Sequence, residues 1–338
     1  MEPAFPRAFG RSLLASAAAL LLAFGGTAQR PAHFEHPDAD LANAMELFGK
    51  AKYGAARYEL ERVIERIRDP QDPVRAEAEY HAALCAVRLF HDDAGHRLRS
   101  FINEHPGNQH VPAVRFELFK HAFSQKKWKD VIAWSEQVDR FSLGADELEE
   151  YRFKRGYAYF TLDDHERALA EFAEVKDGSG TYAPPALYYA SHIQYERGNH
   201  ETALTGFQRL KNDEAFGRIV PFYIAEILFL QGKYDELDSY VKPLLEEKPP
   251  PKRINEIHRL AGEAHYRRGR YAEALPHLEI SARRVGVDRN DRYILGYSYY
   301  RTGEHRKALT ELNIVSNGTD SLAQFASYHM ADCYLKLN

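Results

Sequence analysis

One recurring pattern limits what this chain can fold into. A small or aliphatic residue, usually preceded three positions earlier by an aromatic or histidine, returns at Ala56 (Tyr53), Ala94 (His91), Val131 (Trp128) and Ala168 (His165). It continues at Ala203 (His200), Leu237 (Tyr234), Ala274 (Tyr271) and Ala308 (His305), with separations of 38, 37, 37, 35, 34, 37 and 34 residues. Twelve positions before these anchors stand Ala44, Ala82, Phe119, Gly156, Ser191, Ala225, Gly262 and Gly296. Four after them stand Leu60, Leu98, Ser135, Phe172, Phe207, Val241, Leu278 and Leu312, and seven after them another mostly apolar set from Val63 to Val315. Offsets of this kind place one stripe on each of two amphipathic helices that pack together, the small residue of the first admitting the second. A period in this range means a stacked array, in which each unit buries its apolar face only against its neighbours.

The punctuation agrees. Gly198, Gly232, Gly269 and Gly303 each lie five residues before an anchor, where a glycine ends a helix. Prolines at 70, 73, 106, 112, 184, 185, 221 and 249–251 fall between units and stop one helix from running into the next. The units Phe153-x2-Gly156-x2-Tyr159 with Ala168 and Phe172, and Tyr293-x2-Gly296-x2-Tyr299 with Ala308, resemble the tetratricopeptide repeat family. The likeness covers residues 38–338; the first three units fit least, since Phe119 and Val131 stand where small residues are expected. It implies an all-α fold, an α-solenoid in which helical hairpins wind into a right-handed superhelix. Eight hairpins are predicted, followed by the unpaired first helix of a ninth over Ser321–Asn338, with Phe325, Tyr328, Ala331 and Tyr334 on its packing face. That last helix stops where its turn should begin, so it reads as a poorly dressed cap or as part of a longer array.

Composition becomes informative once the register is known. The chain holds 21 Tyr and 19 Phe against 2 Trp and 3 Met. Much of this aromatic content falls in first-helix columns: Phe123, Phe160, Tyr195, Phe229, Tyr266 and Tyr300 eight before the anchors, and Phe116, Phe153, Tyr188, Phe222 and Tyr293 fifteen before. The column eleven before adds Tyr157, His192 and Tyr297. In solenoids of this family first helices line the inner face, so these fourteen residues form a candidate partner-binding groove, able to hold an extended or helical segment of another protein. Rings offer large contact area at low entropic cost. The competing reading is that the same rings are packing, and both remain open at this point. Family members that clamp a terminal carboxylate use Lys and Asn at inner positions. The eleven-before column instead runs Ala83, Lys120, Tyr157, His192, Glu226, Glu263 and Tyr297.

The N-terminus reads as a targeting segment. Arg7 and Arg11 precede twelve apolar residues, Leu13–Phe24, and then Gly25-Gly26-Thr27-Ala28, which predicts a secretory signal peptide over 1–28 and a flexible leader over 29–37. Twelve is short of the ~20 apolar residues of a membrane span. No cysteine stands near the predicted cleavage site. The two cysteines, Cys85 and Cys333, would lie at opposite ends of an array, too far apart for a bridge. The segment Phe101-Ile102-Asn103-Glu104-His105-Pro106 is similar to exported repeat proteins of Gram-negative envelopes, and Tyr188-Tyr189-x5-Tyr195 to the large aromatic-rich ones of Bacteroidota.

The remaining chemistry is thin. A net charge of −4 with no dense basic block gives no footprint for nucleic acid. Four of the sixteen histidines (His91, His165, His200 and His305) occupy the turn position held elsewhere by Tyr or Trp, so they read as packing rings. No metal spacing, phosphate loop or nucleophile set is present, and neither cofactor nor catalytic residue is expected. The expectation is therefore an exported, periplasmic protein-interaction scaffold in envelope assembly or secretion. The alternatives are a holdase-like carrier of unfolded exported chains and an accessory domain of a longer enzyme.

Overall fold

The structure is a computed structural model in which residues 37–284 and 286–337 are described. The predicted signal peptide and all but the last residue of the leader lie outside them. Among the described residues the only regular elements are helices: α1 (Pro37–Gly49), α2 (Tyr53–Arg66), α3 (Pro73–Arg88), α4 (Ala94–Glu104), α5 (Val111–Ser124), α6 (Trp128–Ser135) and α7 (Ala145–Thr161). They continue as α8 (His165–Ala173), α9 (Ala183–Glu196), α10 (His200–Arg209), α11 (Val220–Leu230), α12 (Tyr234–Leu244), α13 (Ile254–Arg267), α14 (Tyr271–Ser281), α15 (Arg289–Arg301), α16 (His305–Ser316) and α17 (Ser321–Leu337). A single 3-10 turn, Arg140–Ser142, separates α6 from α7. Odd-numbered helices are the predicted first helices and even-numbered ones the second. The architecture is an all-α solenoid of helical hairpins. None of the described helices is long and apolar enough to cross a membrane.

The chain divides into two compact units, Met1–Ala82 and Ala83–Asn338. In the first, α1 pairs with α2 over buried Ala44, Ala56, Leu60 and Val63, and Arg66 of α2 is ion-paired with Asp40 of α1. Phe48 sets its ring edge-on to Tyr53 and His81, with centroids 5.4 and 5.1 Å away.

In both units the predicted register is the packing register. All eight anchors are fully buried, and every residue four or seven positions beyond them is buried too. The seats twelve before are buried as well, and three show why they are small. A Cβ added to Gly156, Gly262 or Gly296 would lie 2.8, 2.7 or 2.9 Å from a side-chain atom of Phe172, Leu278 or Leu312, the residue four after the anchor. The third hairpin inverts the sizes. Phe119 fills the seat and Ser135 stands opposite, with Tyr151 of the next repeat 5.2 Å from the Phe119 ring and its hydroxyl donating to the Ser135 carbonyl at 3.0 Å. Close packing constrains the summed volume across such an interface rather than either side alone. The departure of Phe119 from the repeat pattern is thus a compensated exchange.

The turns obey one backbone rule. Gly198, Gly232, Gly269 and Gly303 have φ between 69° and 85°, as the helix-ending position requires. In three other hairpins a side chain accepts the same left-handed conformation: Ala51, Lys126 and Asp163, with φ of 55°, 56° and 59°. Each such residue bonds back three positions and its successor back five, as in Gly198 N to Tyr195 O and Asn199 N to Gln194 O, both 2.9 Å. The second hairpin differs. Its left-handed residue is Phe90, one position later, and α4 starts at Ala94 itself, so His91 precedes the helix instead of opening it. Prolines open α5, α9 and α11, where the missing N–H costs nothing.

The C-terminal helix forms as predicted, but on a different face. Ala323, Ala326 and Cys333 are its buried residues, whereas Phe325, Tyr328, Ala331 and Tyr334, expected to pack, are exposed. The reason is that α17 docks on α15 and α16 through its small residues, leaving the aromatic side free. Both cysteines are buried.

Candidate partner-binding face

The fourteen first-helix residues fall into two groups. Phe116, Phe153, Phe222 and Phe229 are buried, so they hold the array together and are not available as open surface. Cations cover three of them: Lys120 Nζ lies 4.6 Å from the Phe116 centroid, the Arg253 guanidinium 3.4 Å from Phe222, and that of Arg267 4.7 Å from Phe229. The other ten, Phe123, Tyr157, Phe160, Tyr188, His192, Tyr195, Tyr266, Tyr293, Tyr297 and Tyr300, are half-buried. Each of these presents one edge or face to solvent and the other to a neighbouring repeat.

The half-buried rings are joined into two ladders. In the first, Phe123 meets Tyr157 at 5.7 Å, Tyr157 meets Tyr189 at 5.0 Å, and Tyr189 meets Phe160 at 5.1 Å. Phe160 then reaches His192 at 6.1 Å, and His192 and Tyr195 both reach Tyr223 at 5.5 Å. In the second, Tyr266, Tyr293 and Tyr300 surround Tyr297 at 5.8, 6.0 and 5.8 Å, and His329 of α17 closes on Tyr297 at 4.8 Å. Edge-to-face and tilted geometries dominate, as the ring quadrupole favours.

Between the ladders the column changes chemistry. Glu263 is buried and takes hydrogen bonds from Arg259 at 3.1 Å and Arg267 at 2.7 Å. Glu226 accepts the Tyr195 hydroxyl at 2.8 Å. The mixed charges of this stretch are therefore satisfied within the fold, and the predicted continuous groove from Phe116 to Tyr300 is interrupted there. The spacing of Arg259 and Arg267 four residues to either side of Glu263 is legible in the sequence, but the burial of Glu263 is not.

Two rings central to the first ladder, Tyr189 and Tyr223, escaped the column reading. Both stand fourteen before an anchor, a column whose other members are mostly not aromatic, so no vertical pattern marked them. The signal was local instead: each adjoins a ring already in a column, Tyr188 or Phe222.

The second ladder frames an open pocket of about 500 Å³, lined by Tyr266, Arg267, Tyr271, Tyr293, Tyr297, Phe325 and His329. Arg301 lies over Tyr271 at 4.7 Å and donates to the Tyr297 hydroxyl at 3.1 Å. Burial and the neighbouring tyrosines push the Tyr266 hydroxyl up to about 12, so it stays a protonated donor. Burial also lowers His329, which keeps that ring neutral near pH 7. A pocket of rings with hydroxyl, imidazole and guanidinium edges suits a peptide backbone carrying an apolar side chain.

A second pocket, about 460 Å³, opens among α4, α5, α6 and α7. Its charges are largely paired among themselves: Glu117 with Arg88 and Lys120, and Glu150 with Lys154. Of the histidines, His165, His200 and His305 open α8, α10 and α16. A cluster that spacing missed lies on α13 and α14, where His258 Nδ1 is 3.0 Å from His277 Nδ1 and His277 stacks on His265 at 5.8 Å.

No curated protein matches the chain. Residues 256–279, which run from α13 through most of α14, match the tetratricopeptide repeat family model. Among solved structures, the apo form of RapI is similar over 89% of this chain and 98% of its own, with 12% identity and a TM-score of 0.52. A tetratricopeptide repeat protein from Parabacteroides merdae aligns over 78% of this chain and 98% of its own, with 12% identity and a TM-score of 0.45. Identity at this level speaks to the fold alone. The seventh hairpin thus matches the tetratricopeptide repeat family, and the other seven share its packing register in an all-α solenoid of helical hairpins.

Proposed function

We propose that the chain is an exported scaffold that holds a segment of a partner protein against its first-helix rings, in envelope assembly or secretion. The observation that carries the reading is the pair of aromatic ladders, ten of whose rings keep a solvent-facing edge while belonging to consecutive repeats. Repeats of this type are protein-interaction modules, and no set of described residues resembles a reaction centre. The pocket around Tyr297 is where a bulky side chain of the partner seats, with the first ladder taking the flanking chain. Export rests on the basic, apolar and small-residue order of residues 7–28. Periplasmic localisation follows from that segment together with the likeness to exported repeat proteins.

The test is site-specific photocrosslinking in cells. A photoreactive residue at Tyr195 or Tyr297 is expected to yield discrete protein adducts, while one at Ile314, exposed on a second helix, yields none. Equal adducts from all three positions would sink the reading. A broad smear of many products from the ladder positions alone would turn it toward a carrier of unfolded chains. Export is checked separately, by fusing residues 1–37 to a reporter active only outside the cytoplasm.

A further inference from the structure

Two arginines, Arg267 and Arg301, stand seven before their anchors in successive repeats and differ in one partner. The Nη1 of each donates to the turn tyrosine of the preceding repeat, Arg267 to Tyr234 and Arg301 to Tyr271, both at 3.3 Å. The other edge of the Arg267 guanidinium, Nε and Nη2, is closed by Glu263 Oε1 at 3.1 and 2.7 Å. Glu263 lies eleven before its anchor, and in the next repeat that position is Tyr297. The Tyr297 hydroxyl accepts from Arg301 Nη1 at 3.1 Å. A hydroxyl can accept a hydrogen bond, but it is not the anion with which a guanidinium pairs. Among the described residues no carboxylate is ion-paired with Arg301, and nothing takes its Nε or Nη2.

This arginine is exposed at the rim of the 500 Å³ pocket. Its guanidinium lies over the rings of Tyr271 and Tyr297, 4.7 and 5.8 Å from their centroids. Two rings and two hydroxyls therefore hold the open edge in place before anything binds, which lowers the entropic cost of pairing it. Charges close by are already satisfied. Arg267, the one cationic side chain in the pocket wall, belongs to Glu263, and Asp332 of α17 is engaged by Lys336 at 2.8 Å and by Tyr300 at 2.6 Å. No carboxylate lines the pocket, so its rim carries one unbalanced positive charge.

We infer that the docked partner segment supplies the carboxylate that the repeat omits: an aspartate or glutamate side chain closes on the Nε–Nη2 edge of Arg301, beside the bulky apolar side chain seated in the pocket. The inference rests on the docking reading above and names the chemistry of what docks. Glu263 shows within the same fold what this edge of the arginine takes. The planar fork matches a carboxylate in two parallel hydrogen bonds, which fixes orientation as well as adding affinity.

Selection of displayed random short peptides on the purified full chain, and in parallel on Arg301→Gln, tests this. Peptides recovered on the wild type should carry an acidic residue close to Trp, Phe, Tyr or Leu. On Arg301→Gln the apolar preference should stay and the acidic one disappear. For one recovered peptide followed by fluorescence anisotropy, exchanging its acidic residue for the matching amide should weaken binding to the wild type about 10-fold, and to Arg301→Gln less than about 2-fold. Arg301→Lys keeps the charge without the fork and should recover only part of the difference. Because Arg301 is exposed and makes no ion pair, circular-dichroism melts of both variants should match the wild type. Apolar peptides without acidic preference overturn the inference and leave the docking reading standing, as does an amide exchange that costs the same with and without Arg301. Failure to recover any peptide overturns both.

Discussion

At the scale of single residues, the turns separate backbone cost from side-chain cost. Gly232 has φ of 69° and nothing within 4 Å of where a Cβ would stand, so Gly232→Ala meets no clash and only the left-handed backbone penalty. The expected loss is about 1 kcal/mol. Lys126 holds the corresponding position in the third hairpin with φ of 56°, and Lys126→Gly should relieve the same penalty. Its net gain is smaller, about 0.5 kcal/mol, because glycine also loses more entropy on folding. Urea unfolding of the two variants, read as opposite shifts in midpoint, checks the pair. Four of the turns were legible as glycines. The other left-handed positions were not, since Ala51, Lys126, Asp163 and Phe90 carry no sign of the conformation their neighbours impose.

Among the helices, the pairing of α13 with α14 carries a marked acid sensitivity. His277 is pushed down to about 4 by burial and by the nearby His258 and His265, with Asp238 of α12 acting in the opposite direction. His258 is also lowered by burial. His265 sits 3.3 Å from Asp238 and 3.7 Å from Glu273 of α14, and beyond them Arg268 pairs with Asp235 and Arg270 with Glu273. Because the folded state resists protonating His277 while the unfolded chain takes that proton near pH 6.5, stability is full above 6.5. It falls as pH drops toward 4, by up to about 3 kcal/mol for this group. Thermal melts between pH 7 and 4 should show the fall, and His277→Gln should flatten it. This cluster illustrates what spacing cannot reveal. His258, His265 and His277 share no column, and they meet only because α13 and α14 fold back on one another. The anchors, by contrast, were legible throughout, because each hairpin repeats the same size pattern at the same offsets. Half-burial of the rings was not, because the residues that shade a first-helix ring come from the next repeat.

At the scale of the whole molecule, the repeats of the second unit each touch their neighbours and little else, so damage there should stay local. Gly296→Val forces side-chain atoms into the space held by Leu312, an overpacking worth about 1–3 kcal/mol. In a nearest-neighbour array the effect decays with distance. Hydrogen exchange should quicken in α15, α16 and α17 and stay unchanged in α9 and α10. A uniform rise across all helices would mean that the second unit unfolds as one cooperative body instead. The inverted pair in the third hairpin bears on a different question. If Phe119 and Ser135 can trade places in size with what Gly156 and Phe172 do in the next hairpin, then selection acts on pairs, and single columns are free to wander. Repeats built this way can drift apart until little ancestral wording survives, while every interface they form still closes.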